Sequence, residues 1–177
     1  LKLEFHVHND FGMAVGAVMG AILGGANGVH TAVNGLGERT GNVATEEVAM
    51  ALECLWNIDT GLVLENIGYV SRLVQEISKF KLAGNKPIVG SGIFNMESGV
   101  VTHIIDSMEQ KGFNCIMNPY SASMVGHEPL EFVLGKGSGR VTVQRYLERY
   151  DIETNDEEFD LILEAVKHKG RVIKNLL

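Results

Sequence analysis

The stretch LKLEFHVH at the start of the sequence constrains this chain more than any other eight residues. Apolar and polar side chains alternate with the period of a strand, so Leu1, Leu3, Phe5 and Val7 share one face and Lys2, Glu4, His6 and His8 the other. One face is built for a core, while the other carries two histidines one residue apart. On an ordinary half-buried strand the polar face points into water, and periodicity alone leaves a solvated face and a chemical one both open.

The pattern that follows supplies context. Asp10 is expected to cap a helix from about Gly12 to Gly24, whose Ala and Gly content suits close packing on a sheet, and GGANG ends it. GVHTAVNG then reads as a second strand, at the spacing of a βα unit whose strands lie parallel. It leaves through the loop GLGERTGN into TEEVAMALECLW, a helix expected to open with the capping hydroxyl of Thr45 and with Glu46 and Glu47 at its positive end. Another amphipathic helix is expected from about Leu64 to Phe80, after which NKPIVGSGIFNMESG is Gly-rich and irregular. A domain boundary near Gly84 to Pro87 would divide 1–84 from 85–177, with short tail helices starting near Ser138 and Asp156 and no internal repeat. The fold class expected is α/β.

Composition narrows the partners. With 177 residues, 45% of them hydrophobic and 21% charged, the chain matches a globular protein of one domain, or of one domain with an appendage. The net charge of -7 and the lack of any dense Lys/Arg run argue against a nucleic-acid or anionic-membrane partner and for small molecules. AVGAVMGAILGGA is too short and too rich in small residues to span a bilayer, and no signal peptide precedes it, so a cytoplasmic location is expected. Cys54 and Cys115 stand far apart without a CxxC, which points to two core residues instead of a disulfide framework or zinc-thiolate site.

HVHND at the end of one strand, NGLGERTGN at the end of the next and a helix opening with TEE together resemble the pyruvate carboxyltransferase-like family. These are metal-dependent TIM barrels that include isopropylmalate, homocitrate and citramalate synthases and hydroxymethylglutaryl-CoA lyase. KPIVGSGIFNMESG and VLGKGSGR are similar to the segments after the barrel in the synthases, so the resemblance covers most of the chain. It implies that the histidine strand is the seventh of eight. Residues 1–84 would then be the last two βα units of a TIM barrel, 85–177 a mixed, mostly helical linker subdomain, and the first six units would be absent.

The resemblance also implies a site. His6 and His8 would bind one divalent ion with the amide oxygen of Asn42, and an aspartate on the missing first strand would complete the set. A mixed nitrogen and oxygen shell suits Mg²⁺, Mn²⁺, Co²⁺ or Zn²⁺. The ion would chelate a 2-oxo acid while an acyl-CoA, the second substrate, adds to it in a Claisen-type condensation. Carbon–carbon cleavage by a lyase or aldolase is the alternative, and a non-catalytic interaction module is the alternative from another class, because two βα units leave strand edges that must pair with something. Association with the missing part or with another copy would cover them, and the chain alone would be inactive. Glu38 and Arg39 would pair with each other at the barrel mouth or touch substrate.

A departure concerns the proton carrier. Synthases of this family typically read ESGIH after the barrel, and that histidine is thought to assist proton removal from the acyl-CoA; here the stretch is ESGVV. Val101 stands in its place, and His103 lies two residues on, which in a helix turns it roughly 200° away. Either His103 serves through a local shift in an irregular segment, or the chemistry differs and the enzyme is a poor isopropylmalate synthase. Other signals are weaker. GLGERTG has the spacing GxGxxxG and not that of a dinucleotide loop, GKGSGR is either a phosphate cradle or a turn and cap, and His30, His127 and His168 have no partner at ligand spacing. Asn9 and Asp10 would orient the histidines from behind.

Overall fold

The computed structural model describes residues 1–112, 118–129 and 131–172. The chain is α/β and divides into two compact units, Leu1–Ile93 with Tyr120–Glu128, and Phe94–Pro119 with Pro129–Leu177.

In the first unit, β1 (Glu4–His6) pairs in parallel with β2 (Gly28–His30), in the register Glu4↔Gly28, Phe5↔Val29 and His6↔His30. The crossover between them is α1 (Ala14–Leu23). Its Ala14 and Val18 pack with Val43 and Val48 in a buried cluster that Phe5, Val7 and Val29 flank from the strand side. Val18 is wholly buried, which stabilises the fold by roughly 1.5–3 kcal/mol. The alternation of the opening stretch thus holds for Phe5 and Val7. Leu1 and Leu3 are exposed, because no described residue packs over their face.

β2 leads through an isolated bridge at Ala32 into a 3-10 turn, Val33–Gly35, and the loop then enters α2 (Thr45–Trp56). The expected helix is present, but its cap differs: the N-cap is Ala44, with no side-chain cap bond, and the Thr45 hydroxyl pairs with that of Thr31 at 2.8 Å. Likewise α1 is not capped by Asp10; the Asn9 Oδ1 accepts the Ala14 N–H at 3.1 Å. Cys54 is exposed on α2 and not a core residue, while Cys115 lies outside the described residues. After a 3-10 turn at Leu64–Asn66 comes α3 (Ile67–Ser78), and the segment Tyr120–Glu128 lies against its start. There a Cβ on Gly68 would fall 2.7 Å from the Gly126 carbonyl oxygen, so two glycine backbones meet where a side chain would not fit.

The second unit holds another two-stranded parallel sheet, β3 (Asn95–Met96) with β4 (Glu131–Phe132), and three helices: α4 (Gly99–Glu109), α5 (Arg140–Arg149) and α6 (Asp156–Val172). Val143, Leu147, Phe159 and Leu163 form its buried cluster. The starts of α4 and α5 touch backbone to backbone, since a Cβ on Gly99 would lie 2.6 Å from the Gly139 nitrogen. Behind that contact the buried Thr142 hydroxyl donates to Thr102 at 3.1 Å. α6 opens with a reciprocal box: the Glu158 N–H donates to Asn155 Oδ1 and the Asn155 N–H to the Glu158 carboxylate, each at 3.0 Å. Among the described residues no helix is long and apolar enough to cross a membrane.

Gly41 is the glycine on which the loop before α2 depends. Its φ is +84°, and a Cβ there would lie 2.0 Å from the Gly35 carbonyl oxygen. Gly41→Ala is expected to destabilise the protein by about 2 kcal/mol or more, read from urea unfolding; unchanged stability would show that the loop has another stable path.

Candidate metal centre

Beyond the end of β1 the chain is zipped to the loop before α2. His8 and Asn42 form an antiparallel bridge, the Asn9 N–H donates to the Gly41 carbonyl at 3.0 Å, and the Val43 N–H donates to Val7 at 3.3 Å. Residues opposite each other in such a bridge project from the same face, so it carries His8 and Asn42 together. His6 and His8 lie on that face as well. Their Nε2 atoms are 3.3 Å apart with the ring planes nearly perpendicular.

Two ring nitrogens this close either share a proton or face a common cation. Nitrogens each about 2.1 Å from one ion, at an angle between octahedral and tetrahedral, stand roughly 3.0–3.4 Å apart, so the observed spacing fits. Asn42 supplies the second observation. Its Nδ2 donates to the Leu36 carbonyl at 2.8 Å, which spends the nitrogen end, while its Oδ1 is buried without a partner among the described residues. An unsatisfied buried oxygen costs about 1–3 kcal/mol, which a cation would offset. His8 Nδ1 is buried without a partner too, so the usual acceptor behind a ligating imidazole is missing from this chain's described part. Among the described residues no three His, Cys, Asp or Glu side chains converge as a metal site. The set that fits an ion is two imidazoles and an amide.

The neighbouring charges depart from expectation. Arg39 does not pair with Glu38; its Nε and Nη2 donate to the two carboxylate oxygens of Asp10, both at 3.0 Å, and the Thr40 hydroxyl donates to Asp10 at 3.2 Å. The reason is local: Arg39 has φ +56°, a left-handed backbone, and the bridge at Asn42 brings residues 39–41 alongside 9–10. Glu38 is exposed and contributes its carbonyl to the Gly41 N–H. The Arg39 guanidinium holds the Asp10 carboxyl below the usual carboxylate range, with smaller help from Thr40 and His8 against a partial burial that pushes it up. Beside this loop lies a cavity of about 450 Å³ whose lining includes Asn42, Arg39 and Lys81; neither His6 nor His8 lines it.

The other candidates fall outside the cluster. His30 meets Glu4 at 2.9 Å on the surface. His103 sits on a regular helix, exposed, with Thr102 wholly buried and Val101 half-buried beside it, so the segment is not irregular as expected. The GKGSGR loop is a turn and cap: Glu97 already accepts the Gly137 N–H at 2.7 Å and Ser138 the Gly135 N–H at 2.8 Å.

Glu46 lies in the first turn of α2, at the positive end of the helix as the sequence implies. It is only 3% exposed, and its Oε2 accepts the N–H of Asn34 at 3.0 Å. Burial pushes its carboxyl above the ordinary value. The signal was present, since Glu46 lies three and four residues before Ala49 and Met50, which are buried on the same face.

The chain is thus an α/β protein whose β-α-β-α segment brings two histidines together past the end of its first strand, with an asparagine oxygen that has no partner among the described residues across the bridge from His8. Residues 1–74 match the HMGL-like family. The chain is 38% identical to homocitrate synthase AksA of Methanothermobacter thermautotrophicus, over all of this chain and 44% of that protein. It is 39% identical to (R)-citramalate synthase CimA of Methanocaldococcus jannaschii, over 96% of this chain and 33% of that one. To the protein of Methanopyrus kandleri named probable 2-isopropylmalate synthase it is 40% identical, again over 96% of this chain and 33% of the relative. The chain therefore spans less than half the length of these relatives.

Because the folded carboxyl of Asp10 titrates low, its ion pair contributes above the ordinary carboxylate range and is lost as pH falls through the depressed value. In Arg39→Gln, the Asp10 carboxyl is expected to titrate nearer its ordinary value by carbon-detected NMR. An Asp10 titration unmoved by that substitution would show that Arg39 is not what holds it.

Proposed function

We propose that the protein carrying this chain is a metal-dependent acyltransferase that condenses an acyl-CoA with a 2-oxo acid, in the manner of the homocitrate, isopropylmalate and citramalate synthases to which the chain is similar. The observation that carries this reading is the pair of Nε2 atoms at 3.3 Å beside the Oδ1 of Asn42, buried without a partner among the described residues. A divalent ion bound there (Mg²⁺, Mn²⁺, Co²⁺ or Zn²⁺) supplies Lewis-acid polarisation of the 2-oxo carbonyl. The chain's own part is to hold the donors still: the bridge at Asn42 fixes the histidine strand to the loop, and the Asp10–Arg39 pair fixes the loop's outer end. Arg39 can also present positive charge to a substrate carboxylate, since the pair is partly exposed, and exposed Glu38 borders the same loop.

In this reading residues 1–84 are the last two βα units of a TIM barrel and 85–177 a linker subdomain. The two-stranded sheet of the first unit and the exposed Leu1, Leu3, Phe11 and Met13 support it, because they are surfaces that further barrel units or a second copy would cover. The chain alone is then inactive, the working enzyme is an oligomer or a longer protein, and it is cytoplasmic. His103 remains the candidate acid or base. Its place on a regular helix two residues from Val101 favours the second reading, a change of acyl acceptor or a lyase direction, over a simple replacement of the family's histidine.

In the complete enzyme, His6→Ala/His8→Ala is expected to abolish stoichiometric Mn²⁺ or Co²⁺ binding and turnover, with metal content measured by plasma emission; a double variant that keeps both refutes the site. Thiol release from acetyl-CoA with a panel of 2-oxo acids, and cleavage of 2-hydroxyacyl-CoA thioesters, separate condensation from the lyase. Fast condensation with 2-oxoisovalerate, unaffected by His103→Ala, would contradict the significance given to Val101.

A further inference from the structure

Asn42 is oriented by carbonyls, and those carbonyls belong to a turn with its own buried anchors. The Asn42 N–H donates to the Gly35 carbonyl at 3.1 Å and its Nδ2 to the Leu36 carbonyl at 2.8 Å, so its backbone and side-chain nitrogens are both tied to two consecutive residues. The residue before them, Asn34, is 4% exposed and left-handed at φ +63°, a conformation asparagine tolerates better than most but keeps only where its surroundings impose it. What imposes it comes from two helices. Glu46 of α2 accepts the Asn34 N–H at 3.0 Å. Ser71 of α3, 1% exposed, donates its hydroxyl to Asn34 Oδ1 at 2.5 Å and accepts from Asn34 Nδ2 through its backbone carbonyl at 3.0 Å.

We infer that Glu46 and Asn34 are positioning residues for the cation site: they fix the turn at 33–36 whose carbonyls aim the free oxygen of Asn42. This rests on the metal reading proposed above and goes beyond it by assigning the affinity of the site to a buried network that no ligand touches.

The arrangement explains two otherwise costly features. A carboxyl group in the interior with one oxygen, Oε1, without a partner among the described residues is destabilising unless its other oxygen does something the fold needs. A left-handed asparagine where glycine would sit without strain likewise offers what glycine lacks, a side chain that bonds Ser71 at both its hydroxyl and its carbonyl. Burial pushes the Glu46 carboxyl towards its neutral form, which still accepts from Asn34. Glutamine at 46 therefore preserves the contact, and alanine removes it.

The test is Mn²⁺ affinity by titration calorimetry on folded protein, without substrates, for Glu46→Ala, Glu46→Gln, Asn34→Gly and His6→Ala/His8→Ala. Glu46→Ala and Asn34→Gly are expected to weaken binding by about 10-fold or more, and Glu46→Gln by no more than about 3-fold, as for other residues that orient ligands from behind. In the ion-free protein the side-chain amide protons of Asn42 should exchange faster with solvent in the first two variants and not in the third. Should Glu46→Ala not fold, Asn34→Gly, which keeps the backbone conformation, decides alone. Wild-type affinity and wild-type Asn42 exchange in Asn34→Gly, with binding lost in the histidine pair, would overturn the positioning role and leave the metal site standing. Mn²⁺ binding that survives loss of both histidines would overturn the two together.

Discussion

The backbone bridge between His8 and Asn42 is the constraint on which the rest of the first unit depends. Parallel pairing of β1 and β2 covers only three residues of each strand, too few to determine where the chain goes beyond His6. The bridge extends that pairing sideways, from the end of one strand to the loop leaving the other. Through it the Val7 and Gly41 carbonyls accept the Val43 and Asn9 N–H groups, and the Val43 side chain turns down into the core with Val18 and Val48. One contact therefore closes the hydrophobic cluster below and gathers the imidazoles and amide above. Core and site are two faces of the same short ladder.

Glycine makes the ladder possible. At Gly41 the chain must be left-handed and approach the Gly35 carbonyl closely, and at Gly35 the conformation is left-handed again, at φ +68°. The sequence NGLGERTGN is legible for this reason: its glycines are demands of a tight loop carrying an asparagine, not a nucleotide fingerprint. The histidines were legible because period-two alternation leaves no other face for them. α2 was legible to the residue, since apolar periodicity and first-turn acids agree there.

What was not legible depended on partners distant in sequence. Arg39 beside Glu38 invites a local pairing, but the acceptor is Asp10, which no spacing rule links to it. The same redistribution gave the first N–H of α1, whose N-cap is Met13, to the Asn9 side chain and left Thr45 bound to Thr31. α4 went unread because its first residue is a glycine within a run of Gly and Ser, and its helical character comes from Thr102 and Ile105, both wholly buried in the second unit. The burial of Glu46 rests on such a partner too: a charge at a helix start is ordinarily solvated, and the Asn34 N–H of the 33–35 turn meets this one.

The central claim is that one cation lies between these three side chains, and anomalous diffraction at a cobalt or manganese edge on the metal-loaded protein tests it directly. The account predicts one strong peak about 2.0–2.3 Å from His6 Nε2, His8 Nε2 and Asn42 Oδ1. A peak ligated through His30 and Glu4 instead, or Asn42 Oδ1 found hydrogen-bonded to protein with the ion elsewhere, would contradict it.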